Sequence, residues 1–157
     1  MNIESNAFMD GQAIPERYTG EAEDVSPPLN WSNVPAGTRE LALICDDPDA
    51  PTTKPWVHWV IYKISTEAEG LPEGVPAEPA PATSPGTLQG ENSWPSDNIG
   101  YRGPLPPPGH GVHHYHFKLY ALDTELQSEA GLDKNALIDA MKGHILAEAR
   151  LLGTYQR

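Results

Sequence analysis

Hydrophobic and polar positions along the chain fall into three short rows that suit strands, one helical stripe, and long stretches of turn. "RELALICDD" (Arg39–Asp47) is a continuous apolar run closed by turn residues, which suits a buried strand. "WVHWVIYKI" (Trp56–Ile64) is rich in aromatic and β-branched residues and predicts a second strand. Strict alternation puts Trp56, His58, Val60, Tyr62 and Ile64 on one face and Val57, Trp59, Ile61 and Lys63 on the other. Both faces are largely apolar, so this strand is expected at the centre of a sheet. The third row presents His113, Tyr115, Phe117, Leu119 and Ala121 inward, and His114, His116, Lys118 and Tyr120 outward. In "DKNALIDAMKGHILAEARLLG" the residues Leu137, Met141, Ile145, Ala149 and Leu152 form a helical stripe, with Asp133 as N-cap and Gly153 as the stop. Gly143 within that helix costs about 1 kcal/mol relative to alanine, which predicts close packing there.

Turn chemistry fills the rest. Residues 1–38 are broken by "DGQ", "SPPLNW" and "VPAGT", and residues 71–108 hold ten of the 17 prolines, too many for a core element beyond short edge strands. No internal repeat is visible, and 157 residues make one domain, 1–157, able to bury a core without staples. Strands at the core and a single C-terminal helix predict a mainly β fold, a β-sandwich with helical trimming.

Charge and cysteine usage then remove several function classes. A net charge of −12 opposes nucleic-acid binding and docking of a basic patch onto anionic lipid. The one cysteine, Cys45, has no disulfide partner within the chain and lies in an apolar run, where a thiol is a small buried hydrophobe. "MNIESNAFMDGQ" has neither the basic nor the apolar region of a secretory signal, and no apolar run reaches bilayer-spanning length. A cytoplasmic protein without stable membrane insertion is the expectation.

The candidate chemistry lies where polar groups interrupt apolar rows. His58 and His113 each sit in an inward row, where an unpartnered polar group costs about 1–3 kcal/mol. Two strands each contributing a histidine build one polar pocket economically; the alternative is two core histidines separately bonded to backbone. "DDPDAP" follows the first strand, so Asp47 stands at a strand end and Asp49 in a proline-stiffened loop in which Ala50–Pro51 is a candidate cis bond. "RGPLPPPGHG" is a second stiff loop, with Gly103 and Gly109 where the backbone must turn tightly or let something approach closely. No G-x-S-x-G elbow, P-loop or H-E-x-x-H is present, so no cofactor or metal is expected. His114 and His116 share a strand face but lack further ligands, which favours surface histidines.

"SPPLNW", "DDPDAP", "WVHWVIYKI", "GYRGPLPPPGHGVHHYHFKLYALD" and "GHILAEARLLGTYQR" together resemble the signature stretches of the phosphatidylethanolamine-binding protein family, in its bacterial and archaeal Raf kinase inhibitor-like branch. The resemblance spans nearly the whole chain in the family's order. It implies a sandwich of two antiparallel sheets and a small preformed anion pocket for phosphate, acetate or a phosphoryl head group. Carried over by position, the pocket comprises Asp47, His58, Gly103, His113 and Tyr115. Asp49 and Trp56 would shape its mouth, Pro104 would form part of its loop, and Tyr155 would approach the rim. Leu105 stands where relatives often carry cysteine, and is expected outside the pocket. The implied function is a non-catalytic binding protein for a small phosphorylated or carboxylate ligand. The alternatives are an inhibitor of a kinase or protease partner acting through the rim and loops, and a hydrolase using the Asp/His cluster. A homodimer is the assembly that relatives suggest.

Overall fold

The computed structural model describes residues 1–157. In chain order the elements are β1 (Asn2–Glu4), β2 (Gln12–Ala13), β3 (Leu29–Ser32), β4 (Glu40–Asp47), β5 (Trp56–Ile64), β6 (Gly70–Leu71), β7 (Leu88–Gln89), β8 (His113–Leu122), α1 (Lys134–Met141) and β9 (Ile145–Tyr155), with a 3₁₀ turn at Glu16–Tyr18. The three strong rows of the sequence are β4, β5 and β8. They form the middle of a six-stranded sheet ordered β2-β9-β8-β4-β5-β7, and a small sheet ordered β1-β3-β6 covers one face.

Every residue of β4 is buried, because both of its faces are covered. Leu41, Leu43 and Cys45 join Trp59, Phe117 and Leu119 in the core beneath the small sheet, which adds Ile3, Leu29, Trp31 and Leu71. Ala42 and Ile44 face the other way, into a smaller core with Val60, Tyr62, Leu137 and Met141 under α1. The molecule is therefore layered sheet, sheet, helix. Burial pushes the Cys45 thiol well above its ordinary pKa, which leaves it an inert part of that packing. No helix is long and apolar enough to cross a membrane.

Several expectations need correction in detail. The C-terminal helix covers only Lys134–Met141, with Asp133 Oδ1 accepting from the Ala136 amide as its cap. Gly143 does not mark close packing: its φ is +82° and a Cβ added there would meet nothing within 4 Å, so it turns the chain out of the helix. Ile145, Ala149, Leu152 and Gly153 belong instead to β9, which pairs with all of β8 from Leu122↔Ile145 to His113↔Tyr155. Gly153 is a packing glycine within that strand, where a Cβ would meet Ile14 at 2.5 Å and Phe8 at 2.9 Å. The two sheets are antiparallel as expected, apart from the two-residue edge strand β2, which lies parallel to β9 through Gln12↔Gly153 and Ala13↔Thr154. No peptide bond is cis, Ala50–Pro51 included.

Candidate functional site

Strict alternation fails in β5, and the failure creates the site. Cys45 pairs with Trp59 and Asp46 with Val57, so His58 is an extra residue in the ladder. Such a β-bulge lets two successive side chains share a face. Trp56 and His58 therefore join the inner row, while Val60 and Tyr62, placed with them by the sequence pattern, face α1. A second irregularity near Lys63, whose φ is +54°, returns Ile64 to the inner core.

Asp47 ends the inner row of β4, and His113 and Tyr115 begin the inner row of β8. His113 Nδ1–H donates to Asp47 Oδ2 at 2.7 Å, with both side chains almost wholly buried. The Asp49 amide donates to Asp47 Oδ1 at 2.8 Å, closing the turn that leaves the strand. His113 Nε2 lies 2.7 Å from His110 Nδ1, on a loop whose flanking Gly109 and Gly111 have φ of +74° and +91°. A carboxylate only accepts, so a His113 proton sits on Nδ1, and the ring's Nε2 is occupied by its hydrogen bond with His110 Nδ1.

His58 is oriented separately. Its Nδ1–H donates to the Arg102 carbonyl at 2.6 Å. Its ring stands edge-to-face against Tyr115 and Trp94, with centroids 5.1 and 5.2 Å apart. Burial lowers its pKa to about 4, despite the opposing pull of the Arg102 carbonyl and Asp47. His58 is thus neutral at physiological pH. Burial, with Asp47 nearby, raises the Tyr115 pKa, so this side chain stays a phenol.

These four residues floor a cavity of about 230 Å³. Trp56 and Trp94, in contact at 5.4 Å between centroids, stand on one side of its mouth. Ala50, Pro51 and Thr52 come from the turn after β4, and Leu105, Pro106 and Pro107 from the proline loop. That loop is braced from the C-terminus, where Arg157 Nε donates to the Pro106 carbonyl at 2.6 Å and the Gly109 amide donates to the Arg157 carbonyl. No lysine or arginine lines the cavity; the Arg102 guanidinium stacks over Trp94 at 4.7 Å.

Of the residues singled out in the sequence, Asp47, Trp56, His58, His113 and Tyr115 share this cavity, and the others stand around it. Gly103 donates its amide to Asp24 Oδ1 at 2.7 Å and packs so tightly that a Cβ would meet the Tyr18 carbonyl at 2.0 Å. Its own backbone also meets the His58 ring and, with the Arg102 carbonyl, opposes the effect of burial on that ring. Pro104 accepts from the Gly20 amide, and its side chain is not in the lining. Asp49 turns outward and accepts from the amide and Nδ1 of His114, bonds that hold its carboxyl below the usual pKa against the effect of burial. Tyr155 pairs with Glu21 instead. Leu105, expected outside, lines the mouth. Trp94 and His110 were not anticipated. Trp94 lies in an aperiodic loop, whereas "GHG" in "PPPGHGVHH" was an available cue for His110. His114 is tied to Asp49, and no group of three or more His, Cys, Asp or Glu is arranged to hold a metal.

A layered β-sandwich with a preformed cavity at one end of its sheet, polar at the floor and apolar at the mouth, defines a binding-protein architecture. The family model described as phosphatidylethanolamine-binding protein matches residues 4–156, and the chain belongs to that family. It is 51% identical over 157 residues to a UPF0098 protein of Methanothermobacter thermautotrophicus, covering all of this chain and 99% of that one. Among solved structures, it resembles the phosphatidylethanolamine-binding protein homologue CT736 of Chlamydia trachomatis, with TM-score 0.86 and 38% identity over 99% of this chain and 97% of the other. It also resembles E. coli YbcL, described as a member of the mammalian PEBP family, with TM-score 0.89 and 30% identity over 99% and 98% of the two chains. Membership supports the bacterial and archaeal type and a binding role.

Proposed function

We propose that this protein binds a small phosphoryl or carboxylate group, free or as the head group of a larger molecule, in the cavity floored by Asp47, His58, His113 and Tyr115. The observation that carries this reading is a head-group-sized space whose floor is polar, buried and not fully used. No buried side-chain nitrogen or oxygen lacks a partner, yet the ring hydrogen bond of His58 is made by Nδ1 alone and Tyr115 meets its neighbours through its ring, leaving His58 Nε2 and the Tyr115 hydroxyl without one. Both atoms therefore open onto the cavity, available to a ligand. At about 230 Å³ the space suits a head group rather than acyl chains.

The reading is of binding rather than turnover. The lining contains no serine or cysteine, and the Thr52 hydroxyl donates to the Lys54 carbonyl. With no cation in the cavity, an affinity of roughly millimolar to high micromolar is expected, about 4 to 6 kcal/mol. Inhibition of a protein partner such as a kinase or protease is the second reading, favoured by Leu105 standing 42% exposed beside the mouth. The test follows the ³¹P resonance of O-phosphorylethanolamine at pH 5.5 as protein is added. Saturable broadening that weakens about tenfold in Tyr115→Phe supports the cavity; no broadening with the folded wild-type protein contradicts it.

A further inference from the structure

The hydrogen-bond inventory of the cavity is lopsided. His113 Nδ1–H is spent on Asp47, His113 Nε2 and His110 Nδ1 on each other, and His58 Nδ1–H on the Arg102 carbonyl. The Tyr115 hydroxyl is the one uncommitted donor among the floor side chains. Acceptors are plentiful: His58 Nε2 is a bare lone pair, and the Asp47 carboxylate has capacity beyond its two bonds. A fully ionised oxyanion would bring only acceptors and negative charge to a floor rich in acceptors, with no lysine or arginine in the lining. An oxyanion carrying one hydrogen supplies the missing donor and one charge fewer.

We propose that the cavity selects phosphoryl groups in their singly protonated form, with the ligand P–OH donating to the bare Nε2 of His58 and an anionic oxygen accepting from the Tyr115 hydroxyl. This deepens the phosphoryl arm of the proposed reading and rests on it, and it makes an ionised carboxylate, which has no hydrogen to donate, the weaker ligand. The ligand class is a hydrogen phosphate monoester, distinguished from sulfate esters and from the dianion of the same monoester. The discrimination is large in principle, because a buried acceptor facing another lone pair forfeits its bond and is repelled as well.

The charged and titratable groups around His58 make the pH window explicit. Asp47 approaches from β4, with Asp46 on that strand's opposite face; His113 and Tyr115 approach from β8; the Arg102 guanidinium lies beyond Trp94. His58 takes up a proton only near pH 4, below which its acceptor is lost. The ligand loses its proton above its second pKa of about 6. Affinity is therefore greatest between these limits and falls about tenfold per pH unit above about 6.5.

The experiment compares methyl phosphate with methyl sulfate at pH 5.5, both monoanions of similar shape that differ by one O–H. The wild-type protein is titrated with each, and with methyl phosphate again at pH 8. The expected result is at least tenfold tighter binding of methyl phosphate than methyl sulfate, a loss of tenfold or more by pH 8, and a shift of the His58 ¹⁵Nε2 resonance on binding. Equal binding of the two esters at pH 5.5, or methyl phosphate binding that does not weaken by pH 8, overturns the proposal while leaving the anion cavity standing. Failure of both esters and of O-phosphorylethanolamine at pH 5.5 removes the underlying reading instead. His58→Phe, which keeps an aromatic ring but removes the Nε2 acceptor along with the Nδ1–H bond to Arg102, is expected to abolish the preference; the ¹⁵N measurement on unmodified protein decides the matter if that variant does not fold.

Discussion

Asp46 and Asp47 are neighbours at the end of one strand, 1% and 2% exposed, and they behave in opposite ways. Asp46 points toward α1 and meets Lys134 at 2.6 Å and Lys118 at 3.3 Å. Its charge is answered by two cations from two elements, and the cluster ties β4, β8 and α1 together. Asp47 points into the sandwich, where its partners are a histidine and a backbone amide, with no lysine or arginine. The first carboxylate is consumed by the fold. The second is held in place with capacity to spare, beside a cavity. A one-residue step along a strand reverses the face, and with it the use to which the same side chain is put.

Four outcomes would break or sharpen that contrast. The largest effect is expected on the Asp46 side: Lys118→Met with Lys134→Met leaves a buried carboxylate uncompensated and costs about 3–5 kcal/mol in urea denaturation. Phosphoryl affinity should stay within about twofold, because neither lysine lines the cavity. A large loss of affinity in folded protein would dissolve the distinction between the two faces.

Next comes the pH dependence of stability. His58 has a folded-state pKa of about 4 against an ordinary 6.5, so between these values the unfolded chain binds the extra proton and stability rises with pH. Its contribution is fully present above pH 6.5 and lost as pH falls through 4, on the order of 3 kcal/mol in all. His58→Phe should flatten that portion of the stability–pH curve. An unchanged slope would mean that His58 is not held neutral.

Tyr115→Phe removes a hydroxyl that has no protein partner. The expectation is a tenfold loss of phosphoryl affinity, about 1.4 kcal/mol, at an unchanged urea midpoint. A drop in stability without a change in affinity would make Tyr115 part of the core alone. The smallest effect falls on the helix that brings Lys134 to Asp46: Asp133→Ala should cost about 1 kcal/mol, read from the same urea curves.

The two faces also differ in how far the sequence reveals them. β4, β5 and β8 were legible because their apolar runs are strong, and His58, His113 and Tyr115 stood out as polar groups in apolar rows. Asp47 was visible as the last residue before a proline turn. The bulge was not legible, since period-two reasoning assumes an unbroken ladder, and so His58 was grouped with Val60 and Tyr62. β9 was hidden for a different reason. "LAEARLL" has strong helical propensity, but pairing along the whole of β8 overrides it, and the alternation of Ala147, Ala149, Leu151 and Gly153 on the inner side emerges only in that pairing. Trp94 reaches the mouth through an irregular loop whose course depends on backbone bonds such as Ser93 N–H to the Val57 carbonyl, which no local pattern announces.

The most direct test is a ¹H–¹⁵N titration of the whole chain with O-phosphorylethanolamine at pH 5.5, following backbone amides on both faces of the β4 end. Saturable shifts at Asp47, Asp49, His58, His113 and Tyr115, with Lys134 through Leu137 unmoved, are the predicted result. Shifts centred on the Lys118–Lys134 side, or none anywhere at high ligand concentration, would contradict the account.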